Sequence, residues 1–366
     1  MKKLFVFLLI ASLAFSLAAC TQTPAPASAP AAPAPAAPAA GGDAATAPAE
    51  TGTDFSHLDS VTIRFSHWFA EAHPQHRALL IFRDEVYRKS GGMIDVQLFP
   101  NAILGSEDVY ITSIRQGLLE MGATGTLVSR EEAPLVALAE LPFLFADWDH
   151  ARSTLGADIG QALTADMPER SGLRALAWNV NGFRQVSTNR LVASMDDFSG
   201  LRLRVPNTPT FINSFGALGV NPIAMPFGET FTALEQGVVD GQDNPFATVR
   251  ASSFYEVQSH MLETRHMFSP ILWVINDNFY QNLPDEFRQI IDESIAIASE
   301  YQWQFSIEAD ENDKQYLLDE GIIITEVDAA FRAQMIQALE DDGFFDWFFT
   351  EFPGTEEFAQ MIRDME

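Results

Sequence analysis

From Val61 onward the chain alternates between two hydrophobic periods, and this alternation limits the fold more than any other feature. Val61–Ser66 alternates apolar and polar residues as a half-buried strand does, and the next segment repeats apolar residues at helical spacing up to Val86. The same order returns in Ile94–Phe99 and Asp108–Glu120. Strands that alternate with helices are typical of βαβ units with a parallel sheet. We therefore expect an α/β fold.

The C-terminal half predicts one further strand and one unusually long helix. Phe268–Asn276 has the pattern of a strand, and Leu283-Pro284-Asp285 begins a helical pattern that runs over residues 285–319. The chain has 366 residues. Without a leader and a tail, about 310 residues remain for folded structure, which is enough for two domains with sizeable cores.

The N-terminus predicts export from the cytoplasm. Residues 1–20 begin with two lysines and continue with an apolar run too short to span a bilayer, as a secretory leader does. The segment Leu17-Ala18-Ala19-Cys20 resembles a bacterial lipobox, which predicts cleavage before Cys20 and acylation of that residue. An ordinary signal peptide with an incidental cysteine is the alternative. Because Cys20 is the only cysteine, we expect no disulfide and no thiol chemistry.

Residues 21–54 consist mainly of alanine, proline, threonine and glycine, with almost no large apolar side chain. Such a segment cannot bury enough surface to offset the entropy of ordering it. We expect a disordered tether that holds the folded part clear of a membrane.

The charge balance excludes some partners and constrains any anion site. The chain has 22 lysines and arginines against 50 acidic residues, a formal net charge of −28. This balance argues against binding to nucleic acid and against attraction to anionic lipid surfaces. An anionic ligand would need local, protected arginines. Distant exposed charges are screened beyond about 10 Å at ordinary salt, so such local groups can dominate.

Two arginines lie in strand-like segments of suitable chemistry. Arg184 lies in Gly182–Asn189. Arg204 alternates with the apolar residues Leu201, Leu203 and Val205, which places it on the opposite face of the predicted strand. A guanidinium group offers a planar fork of donors that matches a carboxylate. The amide of Asn244, in a predicted turn, could donate a further bond. The alternative is that these arginines only form the solvent-exposed face of a half-buried strand.

Other chemistries have weaker support in the residues. His67, His73 and His76 could gather a metal, but the folded part has no cysteine and His73 lies beside a proline at a helix start, so we expect no metal site and no cofactor. A histidine that lines a ligand cleft is favoured over a metal site, although most such histidines would be structural. The chain has no serine-hydrolase, zinc-protease, P-loop or dinucleotide motif. We therefore do not expect an enzyme. A carboxylate-acting enzyme and a purely structural lipoprotein remain distant alternatives.

Several segments together resemble one family, the solute-binding proteins of TRAP transporters, the tripartite ATP-independent periplasmic carriers (DctP family). The resemblance covers most of the chain from about Val61 onward. The matching segments, in the order and approximate spacing of the family, are Gly182–Asn189, Gly200–Pro206, Met225–Gln236 and Val238–Pro245.

This resemblance implies a two-lobe, clamshell periplasmic solute-binding-protein fold with a long helix running across both lobes. The first lobe would comprise 58–181 plus 270–309, and the second 182–269 plus 310–366. The receptor is expected to act as a monomer in the periplasm or cell envelope, lipid-anchored to the membrane through Cys20.

The resemblance also implies roles for individual residues. Arg204 would form the main salt bridge with a substrate carboxylate, Arg184 and Asn244 would bond the same group, and Phe227 would line the pocket. His67 and Thr126 lie in segments expected to contribute to specificity.

The ligand would be a small organic acid, with C4-dicarboxylates, 2-oxo acids, uronates and aldonates all open. The partner would be a TRAP membrane permease driven by an ion gradient. The binding protein of an ATP-driven importer or a ligand sensor is the alternative.

Overall fold

The structure is a computed structural model that describes Phe55, residues 57–129 and residues 133–365. The predicted leader at 1–20, the acylation site Cys20 and the predicted tether at 21–54 lie outside these residues. Within the part described, no helix is both long enough and apolar enough to cross a membrane.

Two β-sheets form the framework. Their strands, in chain order, are β1 (Val61–Ser66), β2 (Ile94–Phe99), β3 (Met121–Thr124), β4 (Leu173–Phe183), β5 (Gln185–Thr188), β6 (Arg202–Val205), β7 (Asn221–Ala224), β8 (Gly241–Asn244), β9 (His260–Glu263), β10 (Phe268–Asn276) and β11 (Ile323–Glu326). The first sheet has the order β2-β1-β3-β10-β4, and the second has the order β11-β9-β5-β8-β6-β7.

Helices cover both sheets. The α-helices are α1 (Pro74–Lys89), α2 (Glu107–Arg115), α3 (Trp148–Leu155), α4 (Asp158–Thr164), α5 (Met167–Ser171), α6 (Pro209–Ala217), α7 (Thr230–Glu235), α8 (Phe246–Ala251), α9 (Asp277–Gln281), α10 (Asp285–Asp319), α11 (Ala329–Asp341), α12 (Phe344–Glu351) and α13 (Thr355–Arg363). Short 3-10 helices span Thr126–Ser129, Pro134–Glu140, Met195–Phe198, Phe227–Glu229 and Phe254–Glu256. The bounds predicted for β10 and α10 are confirmed.

The expectation of a parallel sheet is only partly correct. Strand β1 runs parallel to β2 and β3, as βαβ units require, but β10 is antiparallel to both β3 and β4. In the second sheet β5 is likewise antiparallel to β8 and β9. The reason is connectivity. Strand β10 enters the first sheet directly from the second sheet, so no helical crossover is needed to return the chain in a parallel direction.

The chain passes between the sheets at three places. It leaves the first sheet at Phe183 and enters the second at Gln185, it returns between Glu263 and Phe268, and after β10 it reaches the second sheet again through α10 and β11. The predicted division into lobes at 181/182, 269/270 and 309/310 remains a prediction.

The long helix α10 packs against elements of both sheets. In its first half Phe287 and Ile291 are buried in the cluster around β1 and β10. Further along, Trp303 belongs to the cluster around β6, and Gln302 donates to the carbonyl of Val180 at 2.7 Å and accepts from its N–H at 2.9 Å. The helix therefore ties β4, the last strand before the chain crosses, to both cores.

Candidate functional site

A cavity of about 190 Å³ lies between the two sheets. From the side of the first sheet, its wall includes Trp68, Glu107, Gly125, Asn181 and Ser269. From the side of the second sheet, its wall includes Arg184, Arg204, Met225, Phe227 and Asn244. Four of the six substrate-binding residues predicted from the sequence therefore meet at one cavity, although they are spread over more than sixty positions of the chain.

Strand β6 directs Arg204 into this cavity. Leu201, Leu203 and Val205 are fully buried in the core on one face, which leaves Arg204 on the opposite face, as the alternation predicted. Arg202 shares that face but is not part of the cavity wall; its side chain is partly exposed and pairs with Asp240 at 2.5 Å. The same face of β6 therefore carries Arg202, which has an acidic partner, and Arg204, which lines the cavity.

Arg204 is buried, and its guanidinium donates to a backbone carbonyl rather than to a carboxylate of any described residue. Its side chain is only 3% exposed, and its Nε and Nη2 donate to the carbonyl oxygen of Met225 at 3.2 and 2.8 Å. Among the described residues no carboxylate oxygen lies within 4.0 Å of its guanidinium. Burial lowers the pKa of Arg204 to about 10, although Asp243 nearby acts in the opposite direction. The group remains charged at neutral pH, with no close counter-ion among the residues that the structure describes.

Arg184 is also buried, but it already has a partner. Its Nε and Nη2 donate to the Oδ2 and the carbonyl oxygen of Asp243, both at 2.5 Å, and its Nη1 donates to Ser269 at 3.2 Å. Its guanidinium also lies over the ring of Phe211, 4.7 Å from the centroid. Most of the donors of Arg184 are therefore committed within the protein, in contrast to those of Arg204.

Asp243 is fully buried and forms the ion pair that holds Arg184 in place. Burial by itself raises the pKa of this carboxyl, but Arg184 and His266 more than offset the effect, so the pKa lies below its ordinary value. His266 Nε2 lies 3.5 Å from Asp243 Oδ2. A buried, ionised Asp243 thus fixes Arg184 at the cavity wall.

Asn244 and Phe227 complete the predicted set on the second sheet. The Nδ2 of Asn244 donates to Gln242 at 2.5 Å, and the residue is 3% exposed. Half-buried Phe227 places its ring centroid 5.7 Å from the Cζ of Arg204. This is a cation–π distance, so the ring provides an apolar, water-excluding side to the cavity.

His67 is not brought together with these residues, and the role predicted for Thr126 stays a prediction. His67 is fully buried, its Nε2 lies 3.1 Å from Nδ1 of His76, and burial lowers its pKa to about 3. Its neighbour Trp68 lines the cavity instead. Thr126 begins the 3-10 helix next to the cavity residue Gly125, but its side chain is outside what the structure describes.

Glu107 is a cavity residue that the sequence did not single out. It begins α2, and its Oε1 accepts from Thr124 Oγ1 at 2.7 Å and from the Gly125 N–H at 2.8 Å. Burial raises its pKa to about 7, despite these two hydrogen bonds. In the sequence Glu107 is one of two acidic residues in a helical first turn, which is an ordinary place for acids. No local signal distinguishes it.

The side chains at this cavity suit the binding of a ligand. A desolvated cation, amide donors and an aromatic ring line a small cavity, which is the pattern of a site that orients a compact polar ligand. In the described ranges no group of three or more histidine, cysteine or acidic side chains could hold a metal ion.

Comparison with known proteins shows which family this chain matches. The family model described as bacterial extracellular solute-binding protein, family 7 (DctP) matches residues 65–342. The 2,3-diketo-L-gulonate-binding periplasmic protein YiaO of Escherichia coli is 34% identical over 275 residues, which cover 75% of this chain and 84% of that protein.

Two crystal structures are also similar. A TRAP periplasmic solute-binding protein from Haemophilus influenzae with bound L-gulonate has a TM-score of 0.80 at 32% identity, covering 84% of this chain and all of the other. The sugar acid binding protein DctPAm of Advenella mimigardefordensis, in complex with galactonate, has a TM-score of 0.81 at 27% identity with the same coverage. This protein belongs to the DctP family of TRAP-transporter solute-binding proteins, which are receptors rather than enzymes.

Proposed function

We propose that this receptor captures a small organic acid by its carboxylate, with Arg204 as the primary anchor. The observation that carries this proposal is the environment of Arg204, a charged side chain buried in the cavity wall with no carboxylate of the described residues within 4.0 Å. A buried unpaired charge costs several kcal/mol. An anion in the cavity would remove that cost and accept charge-assisted hydrogen bonds of about 1.5–3 kcal/mol each.

The neighbouring residues would refine this capture. Arg184 adds positive potential to the cavity. Its Nη1 donates one hydrogen bond to Ser269 and carries a second N–H, through which Arg184 would contribute a secondary bond to the same carboxylate. The second N–H of the Asn244 amide would bond there as well, because its known bond to Gln242 uses only one. Phe227 would exclude water from the guanidinium. His67 would act only indirectly, through Trp68, and Thr126 would act from the edge of the cavity.

Ligand binding would favour a closed form of the clamshell. With the cleft open, water can solvate Arg204, whereas closure without an anion leaves the charge desolvated. The ligand therefore stabilises the closed form by its differential affinity. The lobes would be 58–181 plus 270–309 and 182–269 plus 310–366. A TRAP membrane permease would recognise the closed form, and an ion gradient would drive uptake.

The receptor would remain at the membrane through acylated Cys20, on a tether formed by residues 21–54. The lipobox-like segment Leu17–Cys20 supports this part of the proposal. Metabolic labelling with a fatty-acid analogue should mark the wild-type protein and should not mark Cys20→Ser.

Relatives support the choice of ligand class. The similar proteins named above bind 2,3-diketo-L-gulonate, L-gulonate and galactonate. A thermal-shift screen of an organic-acid library, followed by calorimetry on the positives, tests the proposal. A ligand present at about 100 times its dissociation constant adds roughly 2.7 kcal/mol of stability, which is readily measured. If no carboxylic acid shifts the unfolding midpoint, the proposal is wrong.

A further inference from the structure

The cavity carries an acidic group as well as its arginines. Glu107 is on the first-sheet side, while Arg204 is on the second-sheet side of the same cavity. The two side chains are close enough for each to influence the pKa of the other. A ligand held by Arg204 would therefore present its remaining atoms toward a carboxylate.

The hydrogen bonds of Glu107 leave part of this carboxylate for a ligand. Both bonds that it accepts from described residues, from Thr124 and Gly125, end on Oε1. They fix the carboxyl group against β3, and no hydrogen bond from a described residue ends on Oε2. An ionised carboxylate has only acceptor sites, about two at each oxygen. The open oxygen can therefore bond only to a group that carries a proton.

The electrostatic environment opposes further negative charge at this position. Burial raises the pKa of Glu107 to about 7, which means that a single negative charge is already costly here. Among the described residues, the titratable groups that interact with its charge are Asp108 and the neutral hydroxyl of Tyr110 on the same helix, and Arg204 across the cavity. A second carboxylate on the ligand would add a like charge where Coulomb interactions are poorly screened.

We propose that Glu107 determines specificity: it accepts hydrogen bonds from hydroxyl groups on the part of the acid remote from Arg204, and it rejects acids with a second carboxylate there. The inference rests on the proposed function, because Arg204 must hold the first carboxylate. It assigns the ligand to the hydroxylated monocarboxylic acids, such as aldonates, and excludes C4-dicarboxylates. Selection of this kind combines an attractive contact with a repulsive one.

Calorimetry with L-gulonate, D-galactonate and succinate tests the inference. Wild-type protein should bind at least one of the two aldonates at least tenfold more tightly than succinate. Glu107→Gln keeps the size of the side chain but removes its charge. Since a charge-assisted bond is roughly twice as strong as a neutral one, the variant should bind aldonate less tightly and succinate more tightly. We expect the ratio of the two affinities to fall by tenfold or more.

Three comparisons complete the design. Asp95→Asn is the matched control: it also replaces a carboxylate by an amide, but at an exposed position of strand β2, and it should leave the ratio of the two affinities unchanged. Glu107→Asp keeps the charge but shortens the side chain, so it should weaken aldonate binding while succinate stays excluded. Unfolding midpoints of all variants establish that each one is folded.

The outcomes separate this inference from the proposed function. A wild-type preference for succinate, binding of none of the three acids, or an unchanged ratio in Glu107→Gln overturns the role of Glu107. The proposed function is judged separately, by the wider acid screen and by Arg204→Lys, which should weaken every acid that binds. If Arg204→Lys weakens binding while Glu107→Gln leaves the ratio within twofold, only the inference about Glu107 fails.

Discussion

Replacing Arg204 by lysine isolates the contribution of the guanidinium geometry from that of the charge. In the structure two N–H groups of Arg204 bond to the carbonyl oxygen of Met225, which leaves the others for a ligand in the cavity. A lysine ammonium carries only three N–H groups on one nitrogen. It cannot bond to Met225 and also offer a carboxylate two parallel donors. The variant should therefore lose at least one charge-assisted bond.

The loss has a definite magnitude. One such bond contributes about 1.5–3 kcal/mol, and each 1.4 kcal/mol is a tenfold change in affinity. We expect the dissociation constant of the cognate acid, measured by calorimetry at pH 7, to rise at least tenfold.

The variant should also acquire a pH dependence. Burial lowers the pKa of Arg204 to about 10, which still leaves it charged at pH 9. The ordinary pKa of lysine is about 10.4, roughly two units below that of arginine, so the same burial brings the ammonium close to the neutral range. Relative to wild type, its affinity for the acid should fall further between pH 7 and pH 9; the comparison cancels the effect of Glu107, which titrates in both proteins. An affinity within twofold of wild type at both pH values would refute the reasoning.

Four further predictions concern the protein around this anchor. Asp243→Asn leaves Arg184 buried without its ion pair, so chemical denaturation should show a loss of about 3–5 kcal/mol; a loss below 1 kcal/mol would contradict the pairing. Gly182→Ala should destabilise by about 1–3 kcal/mol in the same assay, because φ is 129° and the added Cβ would lie 3.2 Å from Cβ of Pro245; a neutral result would mean that the strand relaxes easily. Because burial raises the pKa of Glu107 to about 7, ionisation should cost stability as pH rises from about 4.5 to 7. Compared with wild type, the melting temperature of ligand-free Glu107→Gln should decline less over this range, and parallel curves would argue against the shift. Small-angle scattering with saturating acid should give a smaller radius of gyration than without it, and equal radii would count against closure.

Local patterns were sufficient for much of the fold. The bounds of β10 and α10 follow from hydrophobic periodicity and from the proline before Asp285. The alternation in β6 correctly placed Leu203 in the core and Arg204 on the other face. These features depend on residues within a few positions of one another, so the sequence contains all the information they require.

Strand direction and sheet membership required the tertiary structure. Strands β4 and β5 are separated by one residue, yet they belong to different sheets. No local pattern at Arg184 distinguishes a strand that continues from one that crosses. The antiparallel direction of β10 depends in the same way on where the preceding strand lies.

The sequence determined by itself which side chains could bind an anion, since a guanidinium or amide has the same donors wherever it lies. The tertiary structure alone decided which of them lacks a close counter-ion among the described residues. Asp243 neutralises Arg184, no described carboxylate comes as close to Arg204, and Glu107 joins the cavity from helix α2 on the side of the other sheet. The physical reason is that burial and Coulomb energies depend on distances between residues far apart in the chain, and only folding sets those distances.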